Sequence, residues 1–366
     1  MRAARYYGKE DVRIEEVVED ECGETQIRVA PAYVGICGTD LHEYLGGPTF
    51  APTTPHPITH STIPITLGHE FSGVVTQVGS KVSSSFTPGQ HVVVQPTLAC
   101  GTCSACTSDV ENVCYNGGFI GLSGGGGGLS DSVVVPEKRV LRLPDNVPLR
   151  VGALVEPLSV AWHAIAAAPL TPNSTILVLG GGPIGLAVVQ CLVALNIKTI
   201  ILSEVSQSRQ RFAREFGAHH ILDPTTCDSV AESRRLSGTD GPDVVFDCAG
   251  VPASIRTACQ AVKAKGTVVN VAVWEKEVPF QPNELVFKES KYTAVLGYRR
   301  SDFQAVLDHL AVGSLKPEKM ITSVIQLDDL VEGGIKALIR DKEKHVKILV
   351  EVGGESGVKS GEKARM

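Results

Sequence analysis

The stretch Ile176-Leu177-Val178-Leu179-Gly180-Gly181-Gly182-Pro183-Ile184-Gly185 decides the fold of this 366-residue chain. Its apolar half predicts a buried strand, and its second half has the glycine spacing G-x-G-x-x-G at the entrance to a helix. The first glycine turns the chain, the second lets a pyrophosphate approach the backbone, and the third lets helix and strand pack. The stretch therefore predicts a dinucleotide site at the helix N-terminus. The predicted cofactor-binding positions in it are Gly180, Gly182, Pro183, Ile184 and Gly185.

Strands and helices alternate around this motif. Apolar β-branched runs predict strands, and amphipathic stretches between them predict helices. The strands are expected at residues 176–179, 199–202, 220–222, 244–246 and 267–269, and the helices at 184–195, 207–216 and 254–264. This alternation is typical of a doubly wound parallel sheet.

An acidic residue stands at the end of the strand that follows the glycine motif. Glu204 comes nineteen residues after Gly185, where a carboxylate accepts hydrogen bonds from the adenosine ribose and repels a 2′-phosphate. NAD is therefore predicted in preference to NADP. Arg209 leaves the alternative open, because a cation there can stack on adenine or offset a phosphate.

The first 144 residues have a different sequence pattern. Short β-branched runs at 27–29, 73–75, 91–94 and 132–135, separated by glycine, proline and serine, predict a β-rich, barrel-like module. Residues 46–64 contain five prolines and predict an extended loop or lid. His56 and His60 in it are interpreted as solvated, with metal binding as the alternative. The glycine run at 124–128 predicts either a flexible turn or a close backbone approach.

Composition excludes several classes of protein. The chain has 34 Lys and Arg against 40 Asp and Glu, a formal net charge of -6, and lacks a basic block suited to nucleic acid. No apolar run reaches the roughly 20 residues of a membrane span, and the start lacks the apolar core of a signal peptide. A cytoplasmic protein is expected, in which clustered cysteines serve metal binding or catalysis rather than disulfides.

Four cysteines are closely spaced in one loop-like stretch. Two residues separate each of the first three, and seven separate the third from the fourth. Four thiolates suit a tetrahedral zinc and leave no position for substrate, so a structural zinc is predicted. The predicted ligands are Cys100, Cys103, Cys106 and Cys114.

A second metal site is predicted from weaker signals. Cys37 and the pair His69-Glu70 lie in turn-like surroundings, where each alone is also compatible with a structural role. Glu156 is an acid in an apolar stretch, where burial is costly without a cation. One cysteine, one histidine and one or two carboxylates leave a position for substrate, as in a catalytic zinc site.

Together these motifs resemble the zinc-containing, medium-chain alcohol dehydrogenases over about residues 1–352. Residues 119–130 and the proline-containing segment before Gly68-His69-Glu70 are similar to the branch of 2,3-butanediol and sorbitol dehydrogenases. The resemblance implies a GroES-like catalytic domain, 1–157 completed by 298–352, and a Rossmann NAD-binding domain, 158–297. It also implies a homo-oligomer, dimer or tetramer. Residues 353–366 are expected to form a disordered tail.

The resemblance assigns roles to single residues. Cys37, His69 and Glu156 would hold the catalytic zinc, with Glu70 either a ligand or just behind it, and Asp40 would orient His69. Thr39 and His42 would remove the substrate proton. By analogy, Val273 would lie along the path to the nicotinamide.

The resemblance implies hydride transfer between NAD and a small-molecule alcohol or ketone. A vicinal diol or acyloin is the leading substrate class, and a polyol such as sorbitol or xylitol is the alternative. A pathway-specific alcohol stays open, because a fold does not reveal a substrate. So does a non-catalytic redox sensor with structural zinc alone.

Overall fold

The computed structural model describes residues 1–83, 86–274 and 276–354. The strands are β1 Arg2–Gly8, β2 Asp11–Glu16, β3 Gln26–Gly35, β4 Ile65–Thr66, β5 Glu70–Val78, β6 His91–Val94, β7 Thr97–Leu98, β8 Gly118–Phe119, β9 Val133–Pro136, β10 Val140–Arg142, β11 Thr175–Leu179, β12 Thr199–Ser203, β13 His220–Leu222, β14 Val244–Asp247, β15 Thr267–Asn270, β16 Lys291–Ala294, β17 Ile321–Gln326 and β18 Lys347–Glu351.

The helices connect these strands. They are α1 Gly38–Gly46, α2 Ser104–Thr107, α3 Leu149–Gly152, α4 Val155–Ala166, α5 Pro183–Ala194, α6 Gln207–Glu215, α7 Ser229–Ser237, α8 Pro252–Ala261, α9 Asn283–Val286, α10 Arg300–Ala311 and α11 Lys336–Arg340. Short 3-10 turns occupy Glu111–Val113, Glu137–Arg139, Glu318–Met320 and Leu327–Asp329, and a π-helical turn occupies Leu330–Ile335. Among the described helices, none is long and apolar enough to cross a membrane.

The chain divides into two compact units. The first comprises Met1–Glu156, Arg299–Ala311 and Glu318–Met366, and the second comprises Pro157–Tyr298 and Val312–Pro317. Within the expected tail 353–366, only the first two residues belong to the described part of the chain, and the rest lie outside it.

The first unit is built on a mainly antiparallel sheet. Its strands follow the order β10-β6-β5-β3-β18-β17, and β9 pairs with β3 off this path. A smaller sheet has the order β2-β1-β4. The long strand β3 pairs with β5 on one side and with β18 on the other, so a late segment of the chain completes an early sheet. Tyr6, Ile27, Phe71 and Ile348 are fully buried in the core that these strands enclose.

The second unit contains a parallel sheet of order β13-β12-β11-β14-β15-β16. The doubly wound α/β prediction is confirmed, with five of these strands at the predicted places. β11 is buried along its whole length, as expected for a central parallel strand. The edge strand β16 was not among the predicted segments, because it is mostly exposed and its sequence, Lys-Tyr-Thr-Ala, lacks an apolar run.

Candidate functional site

The four clustered cysteines converge in the first unit, in the loop between β7 and β8. Sγ of Cys103 lies 3.5 Å from Sγ of Cys106 and 3.7 Å from Sγ of Cys114, and Sγ of Cys100 lies 3.9 Å and 3.5 Å from the same two atoms. Sulfurs bound tetrahedrally at ~2.3 Å to one zinc are ~3.8 Å apart, whereas a disulfide needs ~2.0 Å. The four thiols therefore fit a metal and not a pair of disulfides.

Local hydrogen bonds favour the thiolate that a metal requires. The backbone and side chain of Thr102 lower the pKa of Cys100 to about 5, with Thr102 Oγ1 3.5 Å from the sulfur. The backbone N–H of Cys106 lowers the pKa of Cys103. Burial raises the pKa of Cys106 to about 12, so the local hydrogen bonds favour the thiolate at Cys100 and Cys103 but not at Cys106.

Two contacts that the sequence did not reveal hold this loop in place. Arg139 is 3% exposed, and its guanidinium donates to both oxygens of Glu111, at 2.6 and 3.1 Å. His56 is buried rather than solvated: its Nδ1 lies 3.3 Å from the N–H groups of Ile58 and Thr59, and its Nε2 lies 3.4 Å from the carbonyl of Gly117. His56 thus connects the proline-rich loop to the end of the cysteine loop.

A second group of metal-binding side chains forms where β3 and β5 pair. Cys37 follows β3 and precedes α1, while His69 directly precedes β5 and Glu70 begins it. One potential ligand atom from each of the three lies within 4.8 Å of the other two. His69 and Glu70 are buried, and Cys37 is half-buried. The sheet pairing thus unites residues that the sequence could assign only singly.

Negative charge surrounds the His69 ring. Asp40 is buried, and its Oδ1 lies 3.7 Å from Nδ1 of His69, while its Oδ2 accepts the backbone N–H of Cys37 at 2.9 Å. Burial lowers the pKa of His69, but the charges of Asp40, Cys37 and Glu156 outweigh burial and raise it to about 10. A site that concentrates negative charge on a buried ring has the electrostatics of a cation site.

The carboxylate of Glu70 has a partner that sequence analysis missed. Nζ of Lys347, at the start of β18, lies 2.9 and 2.7 Å from its two oxygens, and both side chains are buried. Burial lowers the pKa of Lys347, but the charges of Glu70 and Cys37 outweigh burial and raise it. A lysine opening the apolar run Lys347-Ile348-Leu349-Val350 was the available signal.

The remaining predicted active-site residues lie on two helices. Glu156 is in the first turn of α4, 7% exposed, and its charge also acts on Lys347. Thr39 and His42 are three residues apart on α1, which places them on one face of that helix. Oγ1 of Thr39 lies 3.7 Å from Sγ of Cys37, and His42 is exposed.

The glycine run fixes the backbone next to His69. The N–H of Gly128 donates to the carbonyl of Gly68 at 2.8 Å, and the N–H of Gly121 donates to the carbonyl of Gly126 at 2.9 Å. A Cβ on Gly121 would lie 2.1 Å from the Gly68 carbonyl oxygen. Within the run itself, a Cβ on Gly127 would lie 2.3 Å from the carbonyl oxygen of Leu67, so of the two alternatives the structure shows close backbone approach.

Replacing Gly121 by alanine is expected to destabilise the protein by about 3 kcal/mol, because Gly121 has a φ of +85° and has no space for a methyl group. Zinc affinity should fall as well, since His69 follows Gly68 directly. Thermal melting and zinc content measure the two effects. Gly46→Ala is the matched control, because a Cβ there meets no atom within 4 Å. A Gly121→Ala protein as stable as this control would contradict the packing argument.

The glycine motif of the second unit forms the expected turn. Gly180 follows β11 with a φ of +94°, Gly182 caps α5, and Pro183 occupies the first helical position with Ile184 next. A Cβ on Gly185 would lie 1.9 Å from the carbonyl oxygen of Gly180, whereas a Cβ on Gly182 would meet no atom within 4 Å. The space over Gly182, at the N-terminus of a twelve-residue helix, fits a pyrophosphate.

The acid after β12 faces this turn. Oε2 of the buried Glu204 accepts the N–H of Gly181 at 2.7 Å, and Oε1 accepts the N–H of Ser206 at 2.8 Å. Arg209 lies 4.0 Å from the same carboxylate, so its cation is drawn toward Glu204. Val273, after β15, is 68% exposed, and its carbonyl oxygen lies 3.6 Å from the position of a Cβ on Gly250.

Comparison with known proteins gives the family. Residues 23–145 match the alcohol dehydrogenase GroES-like domain, and residues 183–312 match the zinc-binding dehydrogenase domain. The chain belongs to the zinc-binding alcohol dehydrogenases. It is an alcohol oxidoreductase with a GroES-like domain and a Rossmann-type sheet, as the sequence predicted.

Individual zinc-binding dehydrogenases are similar to this chain over nearly its full length. It is 43% identical to the (R,R)-butanediol dehydrogenase of Bacillus subtilis, covering 96% of this chain and 99% of the relative. Sorbitol dehydrogenase of the same organism is 28% identical, covering 96% and 97%. The crystal structure of 2R,3R-butanediol dehydrogenase from Bacillus subtilis matches with a TM-score of 0.90 at 42% identity, covering 96% of this chain and 99% of that one.

Proposed function

We propose that the chain reversibly transfers hydride between NAD and a secondary alcohol that is a vicinal diol or acyloin, with 2,3-butanediol as the model substrate. The observation that carries the reaction type is the buried cluster of Cys37, His69 and Glu70 in a chain that also has a dinucleotide turn. The 43% identity to a butanediol dehydrogenase, against 28% to a sorbitol dehydrogenase, supports the diol over the polyol.

Two zinc sites with different tasks are proposed. Cys100, Cys103, Cys106 and Cys114 hold a structural zinc with all four positions filled by protein. Cys37, His69 and Glu156 would hold a catalytic zinc, and Asp40 would fix the orientation of His69. When bound, zinc supplies Lewis acidity toward the substrate oxygen, and NAD supplies the hydride acceptor.

The proton of the alcohol leaves by way of α1. Oγ1 of Thr39 accepts it from the substrate hydroxyl and passes it toward the ring of His42. Because His42 is exposed on the same helix face, it can release the proton to solvent. Cys37 is adjacent to this route, as its sulfur lies 3.7 Å from Oγ1 of Thr39.

The cofactor is proposed to bind in the second unit. The backbone around Gly182, with Pro183 and Ile184, receives the pyrophosphate at the N-terminus of α5. Glu204 accepts hydrogen bonds from the adenosine ribose, Arg209 stacks beside adenine, and Val273 lies along the nicotinamide.

Replacing Glu204 by alanine is expected to raise KM for NAD about tenfold and to lower the preference for NAD over NADP by ~1–3 kcal/mol. The reason is that Glu204 is the acid facing the glycine turn, and its negative charge would repel the 2′-phosphate of NADP. Steady-state kinetics with both cofactors measure the change. The control is Glu215→Ala, on the last turn of α6. An unchanged cofactor ratio in Glu204→Ala would contradict the assignment.

The function is tested by NADH absorbance with purified, zinc-replete protein. The panel contains butanediol stereoisomers, sorbitol, xylitol and simple secondary alcohols, each with NAD and NADP. Acetoin is assayed in the reverse direction with NADH and NADPH. Faster NAD reduction with one butanediol stereoisomer than with any polyol supports the proposal. Faster NAD reduction with sorbitol or xylitol would assign a polyol dehydrogenase. No activity with any substrate of the panel, in protein that holds two zincs, would indicate a pathway-specific alcohol.

The non-catalytic alternative is distinguished by metal content. A redox sensor with structural zinc alone has no need for Cys37 beside a buried His69 and Glu70. Family membership and these side chains favour the enzyme, and two zincs per chain are expected.

A cytoplasmic homo-oligomer, dimer or tetramer, is also proposed. The edge strand β16 supports association, because Tyr292 on it and Phe287 before it are exposed apolar side chains at the edge of the sheet. Sedimentation measures the size, and Phe287→Glu with Tyr292→Glu is expected to yield monomers. A monomeric unmodified protein would refute the proposal.

A further inference from the structure

A buried lysine at the start of β18 reaches the candidate catalytic metal site. Lys347 is 3% exposed, and Glu70 is 1% exposed. Nζ of Lys347 donates to both oxygens of Glu70, at 2.9 and 2.7 Å, and to the carbonyl of Ile36 at 3.1 Å. An ammonium group has three protons, so every donor of Lys347 is used within the site.

The carboxylate of Glu70 is also confined by the neighbouring strand. Gly35 on β3 pairs in register with Glu70, and a Cβ at position 35 would lie 2.1 Å from Oε2 of Glu70. A glycine at this position is thus what gives the carboxylate its space. Both carboxylate oxygens accept a hydrogen bond from the ammonium of Lys347, and the absence of a side chain at Gly35 leaves room for Oε2.

Lys347 determines whether the negative charge of Glu70 is compensated by the protein or by a bound metal. Ligand atoms of Cys37, His69 and Glu70 lie within 4.8 Å of one another, so a metal held by the first two is within reach of the third. A buried carboxylate needs a compensating charge. With Lys347 in place that charge comes from the protein, and without it a bound metal is the nearest alternative.

We propose that Lys347 is a positioning residue that keeps Glu70 off the catalytic zinc. The proposal rests on the proposed function, in which Cys37 holds that zinc. The protein ligands are then Cys37, His69 and Glu156, and the fourth position stays open for the substrate oxygen, as a catalytic zinc requires. Removing Lys347 would turn Glu70 toward the metal as a fourth protein ligand, so that a site that also holds a water or substrate oxygen becomes five-coordinate and binds that oxygen less tightly.

The test uses cobalt(II)-loaded full-length protein, because the visible bands of cobalt(II) are more intense in four-coordinate than in five-coordinate sites. Subtracting the spectrum of Cys37→Ala isolates this site from the four-cysteine site. The proteins compared are the unmodified chain, Lys347→Met, Glu70→Gln and the double variant with both changes. KM for the alcohol is measured on the zinc forms.

Lys347→Met is expected to weaken the cobalt bands and to raise KM for the alcohol about tenfold or more, with kcat less affected. Glu70→Gln is expected to keep the four-coordinate spectrum. The double variant is expected to recover that spectrum, because it lacks both the lysine and the competing carboxylate. A merely structural role for Lys347 would not produce this recovery.

Two results would overturn the proposal: a Lys347→Met protein with the original spectrum and KM, or a Glu70→Gln protein that loses its four-coordinate bands. If Lys347→Met does not fold, Glu70→Gln alone decides. The proposed function fails differently, since Cys37→Ala would then leave the spectrum of the unmodified chain unchanged.

Discussion

Cys37→Ala is expected to lower kcat/KM for the alcohol by about 1000-fold or more while the protein stays folded. The side chain is half-buried beside His69 and Glu70, and it supplies the soft ligand of the proposed catalytic zinc. Losing that metal removes several kcal/mol of transition-state stabilisation, and ~4 kcal/mol corresponds to a thousandfold. NADH formation and zinc content per chain are the measurements, with one zinc expected in place of two.

The folded state of Cys37→Ala is checked by circular dichroism, and its second unit by the fluorescence of bound NADH. Cys191→Ala is a matched control, because Cys191 is a buried cysteine on α5 outside both metal clusters. Turnover by Cys37→Ala within tenfold of this control would remove Cys37 from the mechanism.

Cys103→Ala is expected to lose stability but to keep most of its activity. Sγ of Cys103 lies 3.5 and 3.7 Å from two other sulfurs of the cluster, so its loss breaks a site in which all four ligands come from protein. Loss of a structural metal is among the changes that cost ~4–5 kcal/mol, which lowers the melting temperature by roughly 10–15 °C. Differential scanning calorimetry and zinc analysis test this.

Below its lowered melting temperature, Cys103→Ala should retain most of its kcat. The cysteine loop is attached to the rest of the unit by Glu111 and Arg139 and by His56 at Gly117, which hold it after the metal is lost. Equal loss of folding in Cys37→Ala and Cys103→Ala would contradict the division of labour between the two zincs.

The sequence predicted the features that depend on short spacing. The four cysteines lie within one loop, and the glycine motif joins adjacent elements, so their geometry follows from local chain direction. The parallel sheet was predictable for a similar reason, since buried parallel strands such as β11 are continuous apolar runs. Each of these sequence signals is contained in one short segment of the chain.

Contacts between residues far apart in the chain could not be predicted from the sequence. Glu70 and Lys347 are 277 residues apart, and they meet only because β18 pairs with β3 opposite β5. The glycine run showed a similar limit. Its composition allowed either a flexible turn or a close approach, and only the position of Gly127 against the backbone of Leu67 decides between them.

The pairing of β18 with β3 also affects the order in which parts of the protein can fold during synthesis. β3, Cys37 and His69 are synthesised well before the strand that carries Lys347, which lies 277 residues after Glu70. The parallel sheet of Pro157–Tyr298 is by then fully translated and can fold as a unit. The parallel sheet can therefore form before β18 joins the sheet of the first unit and before Lys347 reaches Glu70.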